Sequence, residues 1–405
     1  MASETDEHYQ ASLIDDVCQF VRIPSRSGPA GGEEAAIQAV VEQRMRELDA
    51  RVHTFQPADM PDFFHHPLCS GPNRQYANRP TVIGELGPPD APALLVLAHS
   101  DTVPIFDPDQ WTFDPFLGEV RDGAICGLGA SDDKWGTATM LGIMRILRQR
   151  SRPLSKRLIF ASTIDEESGV GNGALLLHLA GIRAQAALYL DGYSMHVLLG
   201  NLGGSSIDLR PKTPIADGTL RQHARALNTG CETLSLSRQA LFDGSLFRDN
   251  ARRDCSVALY QRRDDRGPYF HVAFYSLPGE NRKTYCRELQ AMLRDSLGQA
   301  LDRYDATWRE PWFEPASVPT DTPLVSCLAD AVRTITNQPP VLTTISKQDA
   351  FVLTNHARIP TVSFGPQSRL TGRGAFHQPD ECLDVHEAWN GFRIAANAVD
   401  NWLES

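Results

Sequence analysis

The 405-residue sequence lacks long apolar stretches and a recognisable export signal. No run approaches the roughly 18 consecutive apolar residues that indicate a membrane-spanning helix. The first ten residues, MASETDEHYQ, are polar and acidic, without the cationic region and apolar core of a secretory signal peptide. From these absences we expect a cytoplasmic protein with no membrane partner.

Positive charge and paired cysteine motifs are also scarce. The chain carries 39 Lys and Arg against 50 Asp and Glu, a formal net charge of −11. This balance gives no general support for binding nucleic acid or anionic membranes, and we expect neither partner. The 8 cysteines are scattered without a C-x-x-C pair. We therefore expect free, mostly buried thiols in a reducing compartment, with Cys126 a packed residue rather than a nucleophile.

The remaining composition is that of a soluble globular protein, with 41% apolar and 22% charged residues, and the length suits two domains. Strand-like and helix-like segments alternate up to residue 200 and again from about residue 322. The predicted strands are 81–86, 93–98, 157–163, 186–191 and 359–365, and the predicted helices are 31–50, 136–149, 171–181, 324–336 and 387–403. This alternation predicts an α/β fold with a mostly parallel sheet and helices on both faces.

The middle of the chain has a different pattern. Residues 205–211, 255–263 and 269–277 are typical of half-exposed strands, and residues 281–297 of a helix. The simplest interpretation is an α/β domain formed by residues 1–200 and 318–405. A smaller α+β domain, residues 201–317, interrupts it.

Chemically reactive side chains follow four of the predicted strands. In open α/β sheets, ligands bind beyond the carboxyl ends of the strands. The residues in such places are His99 and Asp101, then Asp165, Glu166 and Glu167, then Asp191 and finally His377, while Asp132 and Asp133 precede the helix at 136. Any one group has an ordinary alternative as a polar loop, a solvated turn or a helix cap.

The combination favours a metal site. Several carboxylates converging on one sheet edge would repel each other, and protons or cations relieve that repulsion. Two imidazoles together with three carboxylates suit one or two zinc-like ions. A metal-bound histidine usually donates its other N–H to a carboxylate, and Asp101 is close enough in sequence to accept from His99.

Five motifs in order make the chain resemble a known family. They are HSDTVP (99–104), WTFDPFLGEVRDGAICGLGASDDKWG (111–136), TIDEESG (163–169), YLDGYS (189–194) and FHQPDE (376–381). The chain resembles the co-catalytic zinc aminoacylase and carboxypeptidase family, which includes succinyl-diaminopimelate desuccinylase, acetylornithine deacetylase, carboxypeptidase G and the carnosinases. The resemblance implies a zinc-peptidase-like catalytic domain, interrupted by a ferredoxin-like lid that forms the homodimer contact in many members.

The resemblance also implies two zinc ions and a set of roles. His99 and Asp191 would hold one ion, Glu167 and His377 the other, with Asp132 bridging both. Asp101 would orient His99, and Glu166 would act as the general base on a water held between the metals. Manganese or cobalt also suits such a carboxylate-rich site.

The lid is expected to supply further residues. His223 would stabilise the oxyanion, or else is an exposed histidine on a helix. A clamp for the substrate carboxylate has two alternative alignments. In one it consists of Asn250 and Arg263. In the other, the hairpin at 264–268 is the family's turn, and the clamp is missing or moved.

Three stretches depart from the family pattern. Leu128 and Trp135 replace an arginine and a glycine of the second motif, and Trp135 would either narrow the site or pack in the core. SKQD (346–349) stands where several members have G-G-T-D. The loop 57–80 would line the entrance or is an ordinary surface segment. SKQD, together with a missing or moved carboxylate clamp, favours a substrate other than a standard N-acyl amino acid with a free α-carboxylate.

The function expected from these features is hydrolysis of an amide bond in a small molecule, either an N-acyl group or a dipeptide. One alternative is a specialised relative that acts on an unusual amide or catalyses amide formation. Another alternative is a non-catalytic metal-binding scaffold, which the presence of Glu166 and all five implied ligands disfavours.

Overall fold

The computed structural model describes residues 4–169, 171–248, 257–280, 282–309 and 312–405. They group into two compact units, the first comprising the chain up to residue 199 with 318–342 and 348–405, and the second 200–317 with 343–347. The helices are α1 Glu4–Val21, α2 Ala35–Glu47, α3 Lys134–Arg148, α4 Glu166–Gly169, α5 Asn172–Leu179, α6 Asp217–Asp243, α7 Arg282–Leu297, α8 Pro323–Thr336 and α9 Val385–Glu404.

Short and long strands alternate with these helices. They are β1 Ser27–Gly28, β2 Gly31–Gly32, β3 Arg51–Phe55, β4 Thr81–Leu86, β5 Ala93–His99, β6 Glu119–Arg121, β7 Ala124–Cys126, β8 Arg157–Thr163, β9 Ala186–Tyr189, β10 Val197–Asn201, β11 Gly203–Pro211, β12 Val257–Asp264, β13 Gly267–Ser276, β14 Tyr304–Trp308, β15 Ala316–Ser317, β16 Leu342–Ile345, β17 Thr361–Ser363 and β18 Cys382–Asp384. None of the helices in the described ranges has the length and apolarity needed to cross a bilayer.

The main sheet of the first unit has the order β10-β17-β9-β5-β8-β4-β3. Strands β8, β5, β9 and β17 run parallel, whereas the β8–β4 and β4–β3 pairs on one side and the β17–β10 pair on the other are antiparallel. The predicted α/β class is confirmed, but the sheet is mixed rather than mostly parallel. Strand β4 is buried along its whole length and lacks the apolar–polar alternation typical of an antiparallel strand with one solvated face, so its sequence does not reveal its orientation.

The parallel centre of this sheet determines where the reactive side chains lie. All seven residues of β5 are buried, and helix α3 packs against this strand. The carboxyl ends of β5, β8 and β9 lie at the same edge because the strands are parallel and adjacent. His99, the Asp165–Glu167 turn and Asp191 follow these three ends, so the strand pattern brings them together.

Helix α3 begins at a cap that belongs to the same edge. The Asp133 carboxylate accepts a hydrogen bond from the Gly136 N–H at 3.0 Å, which satisfies one of the free donors of the first turn. Its other oxygen accepts from the backbone N–H of His99 at 3.2 Å. Asp133 therefore ties the start of the helix to the end of β5.

The second unit is a ferredoxin-like α+β fold, as the resemblance implies. Its elements follow the order β11-α6-β12-β13-α7-β14, and its antiparallel sheet has the order β12-β13-β11-β14. Ile207, Leu227, Phe274 and Leu289 are among the residues of its separate apolar core. The unit buries its own apolar faces, so each of the two units has an interior of its own.

The expectation of free cysteines is wrong for one pair. Cys126 and Cys382 form a disulfide, although 256 residues separate them in sequence. Strands β7 and β18 pair antiparallel with these two residues directly opposite each other. The pairing depends on a contact between distant segments, and the spacing of the cysteines gives no indication of it. Cys18, Cys69, Cys231 and Cys327 are free thiols.

The ends of β9 and β17 approach so closely that only glycine fits there. A Cβ atom at Gly365 would lie 2.1 Å from the carbonyl oxygen of Gly192, the residue after Asp191. We expect Gly365→Ala to lower the free energy of unfolding by about 1–3 kcal/mol, the cost of overpacking. Urea unfolding measures it. Gly28→Ala is the control, because its Cβ would come no closer than 3.7 Å to a neighbour. Equal losses in both variants would contradict the close approach.

Candidate metal centre

Asp132 lies between His99 and His377 at the edge of the sheet. Its Oδ1 is 3.0 Å from Nε2 of His99, and its Oδ2 is 3.2 Å from Nε2 of His377. The remaining two acidic groups complete the cluster, since Glu167 Oε1 is 2.8 Å from His377 Nε2 and Asp191 joins His99 and Asp132. The structure thus brings together all five residues that the resemblance implies as metal ligands.

These five side chains divide into two groups that share Asp132. In one group, donor atoms of His99, Asp132 and Asp191 lie within 4.8 Å of one another; in the other, those of Asp132, Glu167 and His377 do. Nitrogen and carboxylate oxygen donors in groups of three suit zinc and related divalent ions. A carboxylate common to both groups suits two metal ions that lie close together, as in two-metal sites.

The electrostatics of the cluster also fit bound cations. Burial raises the pKa of Glu167 to about 7 and that of Asp191 to about 6, with Asp132 a further source of repulsion for both. Burial would also raise the pKa of Asp132, but His377 and His99 outweigh it and hold that pKa well below its usual range. In the protein alone, protons shared with imidazoles balance these carboxylates, and cations would do the same.

Asp101 contacts both His99 and the turn that carries the glutamates. Its backbone oxygen lies 3.0 Å from Nδ1 of His99, and its carboxylate lies 3.6 Å from the same nitrogen. The carboxylate accepts the backbone N–H groups of Glu166 at 3.1 Å and Glu167 at 3.0 Å. Its predicted role in orienting His99 stays a prediction. The contacts add a second role, holding the first residues of α4.

Glu166 is buried at this edge and is not part of either ligand group. Burial raises the pKa of its carboxyl group well above the ordinary value, and the carboxylates of Asp191, Asp349 and Glu167 add to the effect. A carboxyl group with a raised pKa can both accept and return a proton near neutral pH. Its chemistry is that required of the predicted general base.

A buried hydrogen-bond network holds Asp165, the residue before Glu166. Its carboxylate accepts hydrogen bonds from five side chains and is fully buried. The donors are Ser27 at 2.8 Å, Arg74 at 2.5 and 2.9 Å, Arg79 at 2.7 Å, Tyr76 at 3.3 Å and Asn172 at 2.6 Å. The backbone of Asp165 has φ 64°, a conformation that non-glycine residues seldom adopt without such support.

The loop 57–80 supplies most of this network. Arg79 is fully buried and also pairs with the buried Glu34 at 2.5 and 2.7 Å. Asn172 on α5 binds the backbone of Ser70 at both its N–H and its carbonyl, which attaches the loop to the first unit. The loop is therefore neither of the two predicted alternatives alone, since part of it supports the glutamate turn. Its sequence gives no spacing signal for this role.

A second supporting residue is Glu381, at the end of the FHQPDE motif. Its buried carboxylate accepts from the backbone N–H groups of Gly129 and Ser131, each at 3.0 Å, and from the Ser131 hydroxyl at 2.9 Å. These contacts hold the loop that leads into Asp132. The motif placed Glu381 near His377 in sequence, but its contact with the second motif depends on the fold.

The other predicted site residues lie elsewhere. Trp135 is fully buried and its indole N–H donates to the Ala388 oxygen at 3.0 Å, which favours the core-packing alternative. His223 is buried on α6, with Nδ1 2.7 Å from the Tyr304 hydroxyl. Arg263 is exposed on β12, before the two-residue turn of the β12–β13 hairpin. Asn250 lies outside the described residues. The roles of His223 and Arg263 stay predictions.

A comparison with known proteins agrees with this centre. The sequence profile of Peptidase family M20/M25/M40 matches residues 95–401. The chain belongs to this family. The predicted resemblance is thereby confirmed, and family membership makes the protein a hydrolase of the metallopeptidase type.

Individual relatives span the chain to different extents. Succinyl-diaminopimelate desuccinylase of Methylobacterium radiotolerans is 28% identical over 384 residues, 88% of this chain and 91% of the relative. N-formyl-4-amino-5-aminomethyl-2-methylpyrimidine deformylase of Bacillus subtilis is 31% identical over 155 residues, 37% of this chain and only 36% of the relative. The crystal structure of human carnosine dipeptidase 1 has a TM-score of 0.73 at 15% identity, covering 99% and 98% of the two chains, which shows a common fold.

We expect the Asp165 network to be essential for stability. Arg79→Met would leave two buried carboxylates, Asp165 and Glu34, without their shared partner. Breaking a buried ion pair in this way should cost about 3–5 kcal/mol of unfolding free energy, measured by urea denaturation. Arg26→Met is the control, because Arg26 pairs with Glu33 at the surface and should change stability by no more than about 1 kcal/mol. A small loss in both variants would contradict this account.

Proposed function

We propose that the protein is a metal-dependent hydrolase that cleaves an amide bond in a small molecule, with two divalent cations and Glu166 as general base. The observation that carries the proposal is the Asp132 carboxylate between His99 and His377, with the buried Glu166 beside the cluster. Zinc is the proposed ion because of the mixed imidazole and carboxylate donors, and manganese or cobalt are alternatives.

Each group of side chains has a separate part in this proposal. His99, Asp132 and Asp191 would hold one ion, and Asp132, Glu167 and His377 the other. When bound, the two ions supply Lewis-acid polarisation of the amide carbonyl and lower the pKa of a water molecule. The protein would hold these ligands in place through backbone N–H groups that donate to Asp101 and Glu381 and so fix the loops.

Glu166 would carry the proton. The oxygen of the attacking water bonds to the carbonyl carbon, its proton passes to the Glu166 carboxylate, and the C–N bond breaks as that proton reaches the departing nitrogen. The raised pKa of Glu166 supports both transfers, because an ordinary carboxylate is too weak a base at neutral pH. The hydrogen bond from the Glu166 N–H to Asp101 would keep Glu166 in a fixed position relative to His99.

The substrate class is an N-acyl compound or a dipeptide. The names of the relatives, a desuccinylase, a deformylase and a dipeptidase, support amides of both kinds. The alignment in which the carboxylate clamp of the predicted lid is missing or moved favours a specialised amide, acted on in either direction, as the second candidate. A panel of N-acetyl, N-succinyl and N-formyl amines and dipeptides separates the two, because brisk turnover of ordinary substrates contradicts specialisation.

We further propose a cytoplasmic homodimer formed through the second unit, the predicted lid. A groove of about 670 Å³ between α6 and α7 is lined largely by small residues, including Ala226, Gly230 and Thr233. On the same helix, Leu236 and Leu241 are 69% and 54% exposed, so α6 offers apolar surface that a second copy of the chain would cover. Light scattering of the intact chain measures its mass and contradicts the dimer if it returns a single chain.

Glu166→Gln tests the general base. The variant keeps the size of the side chain but cannot accept a proton, so we expect kcat to fall by a factor on the order of 10² to 10⁴. Two bound zinc ions per chain should remain, measured by elemental analysis, since Glu166 is outside both ligand groups. Glu33→Gln, on the surface, is the matched control. Retained activity in Glu166→Gln would exclude the proposed role.

A further inference from the structure

The SKQD stretch contains a side chain that contacts a proposed metal ligand. Gln348 is 1% exposed, and its amide nitrogen donates to Asp191 twice, to Oδ2 at 2.6 Å and to the backbone oxygen at 2.8 Å. Both N–H bonds of the amide are thereby used on a single residue. The contact fixes the rotation of the Asp191 carboxylate relative to its own backbone.

A serine sets the direction of this amide. Ser363, the last residue of β17, donates its hydroxyl proton to Oε1 of Gln348 at 2.6 Å. Ser363 pairs with Tyr189 across the β17–β9 ladder, two residues before Asp191. A flipped amide would place oxygen against the Asp191 carboxylate and nitrogen against the serine, so the serine contact favours the orientation in which nitrogen faces Asp191.

A neutral donor suits this position for an electrostatic reason. The negative charge of Asp132 acts on Asp191, and that of Asp349 acts on the neighbouring Glu166. An amide N–H stabilises a carboxylate without adding net charge, whereas a second acid here would increase the repulsion. Of the five proposed ligands, Asp191 is the one to which the Gln348 amide donates in the described part of the chain.

We propose that Gln348 is the positioning residue for Asp191, that Ser363 orients Gln348, and that this pair controls the affinity of only one of the two metal positions. The inference rests on the proposed function, since it assumes that His99, Asp132 and Asp191 hold an ion. Groups that hydrogen-bond to metal ligands typically contribute 10–100-fold to metal affinity. The proposal also gives the SKQD stretch a role other than contact with substrate.

The test is a zinc titration of the metal-free protein in competition with a chromophoric chelator, with no substrate present. Gln348→Leu removes both donors, and Gln348→Glu keeps the size but places an oxygen against Asp191. We expect each variant to bind one zinc about 10–100-fold more weakly than wild type, while the other zinc stays close to its wild-type affinity. A His377→Asn variant identifies the other position, because it should weaken the zinc that Gln348→Leu leaves unchanged.

Ser363→Ala extends the test to the orienting contact. We expect a smaller loss at the same metal position, and the double variant Gln348→Leu/Ser363→Ala should bind zinc no worse than Gln348→Leu, since the serine acts through the glutamine. If Gln348→Leu does not fold, the test rests on Ser363→Ala alone. In that case the proposal is overturned if Ser363→Ala binds both zinc ions with wild-type affinity.

Gln38→Leu is the control for loss of a buried glutamine. Gln38 is fully buried, and its side-chain amide donates to the backbone oxygens of Ser162 and Thr163, at 2.9 and 3.3 Å. It should leave the position weakened by Gln348→Leu at its wild-type affinity. Equal weakening of both zinc positions in Gln348→Leu, or unchanged affinities, overturns the inference. A wild-type protein that does not bind two zinc ions would instead contradict the proposed function.

Discussion

Repulsion between carboxylates at one buried sheet edge is the constraint on which the rest of the first unit depends. Glu166 and Glu167 follow β8, Asp191 follows β9 and Asp132 precedes α3, and the parallel centre of the sheet brings them together. Burial raises the pKa of most of these groups, which shows that the protein interior disfavours their charged forms. Such an arrangement is costly for folding alone and suits a protein that binds cations there.

The donors that the protein supplies to this edge are mostly uncharged. Backbone N–H groups bind Asp101 and Glu381, and the amide of Gln348 binds Asp191. Guanidinium groups are placed one residue away instead, where Arg74 and Arg79 bind Asp165. Guanidinium charge therefore holds the turn that carries Glu166 and is not placed on the proposed metal ligands.

This division gives a physical interpretation of departures from the family pattern. In SKQD, Gln348 contacts Asp191, so at least part of the stretch concerns the metal ligands. Trp135 is enclosed in the core and hydrogen-bonded to Ala388, so its size reflects packing between α3 and α9. These two positions therefore give little support for an unusual substrate. The remaining support is the alignment in which the carboxylate clamp of the second unit is missing or moved.

The local periodicity of the sequence predicts the α/β class and an inserted α+β domain, and the resemblance of its motifs to the family implies the ferredoxin-like form of that domain and the five proposed metal ligands. The sequence did not determine strand direction at the edges of the sheet, since a strand buried along its whole length, such as β4, lacks the apolar–polar alternation that marks many antiparallel strands. Only the tertiary structure decided the contacts between distant segments: Cys126 with Cys382, Arg79 with Asp165, and Gln348 with Asp191. The reason is that each contact joins side chains through the folding of the whole unit, and no short-range pattern encodes which partner a buried polar group will meet.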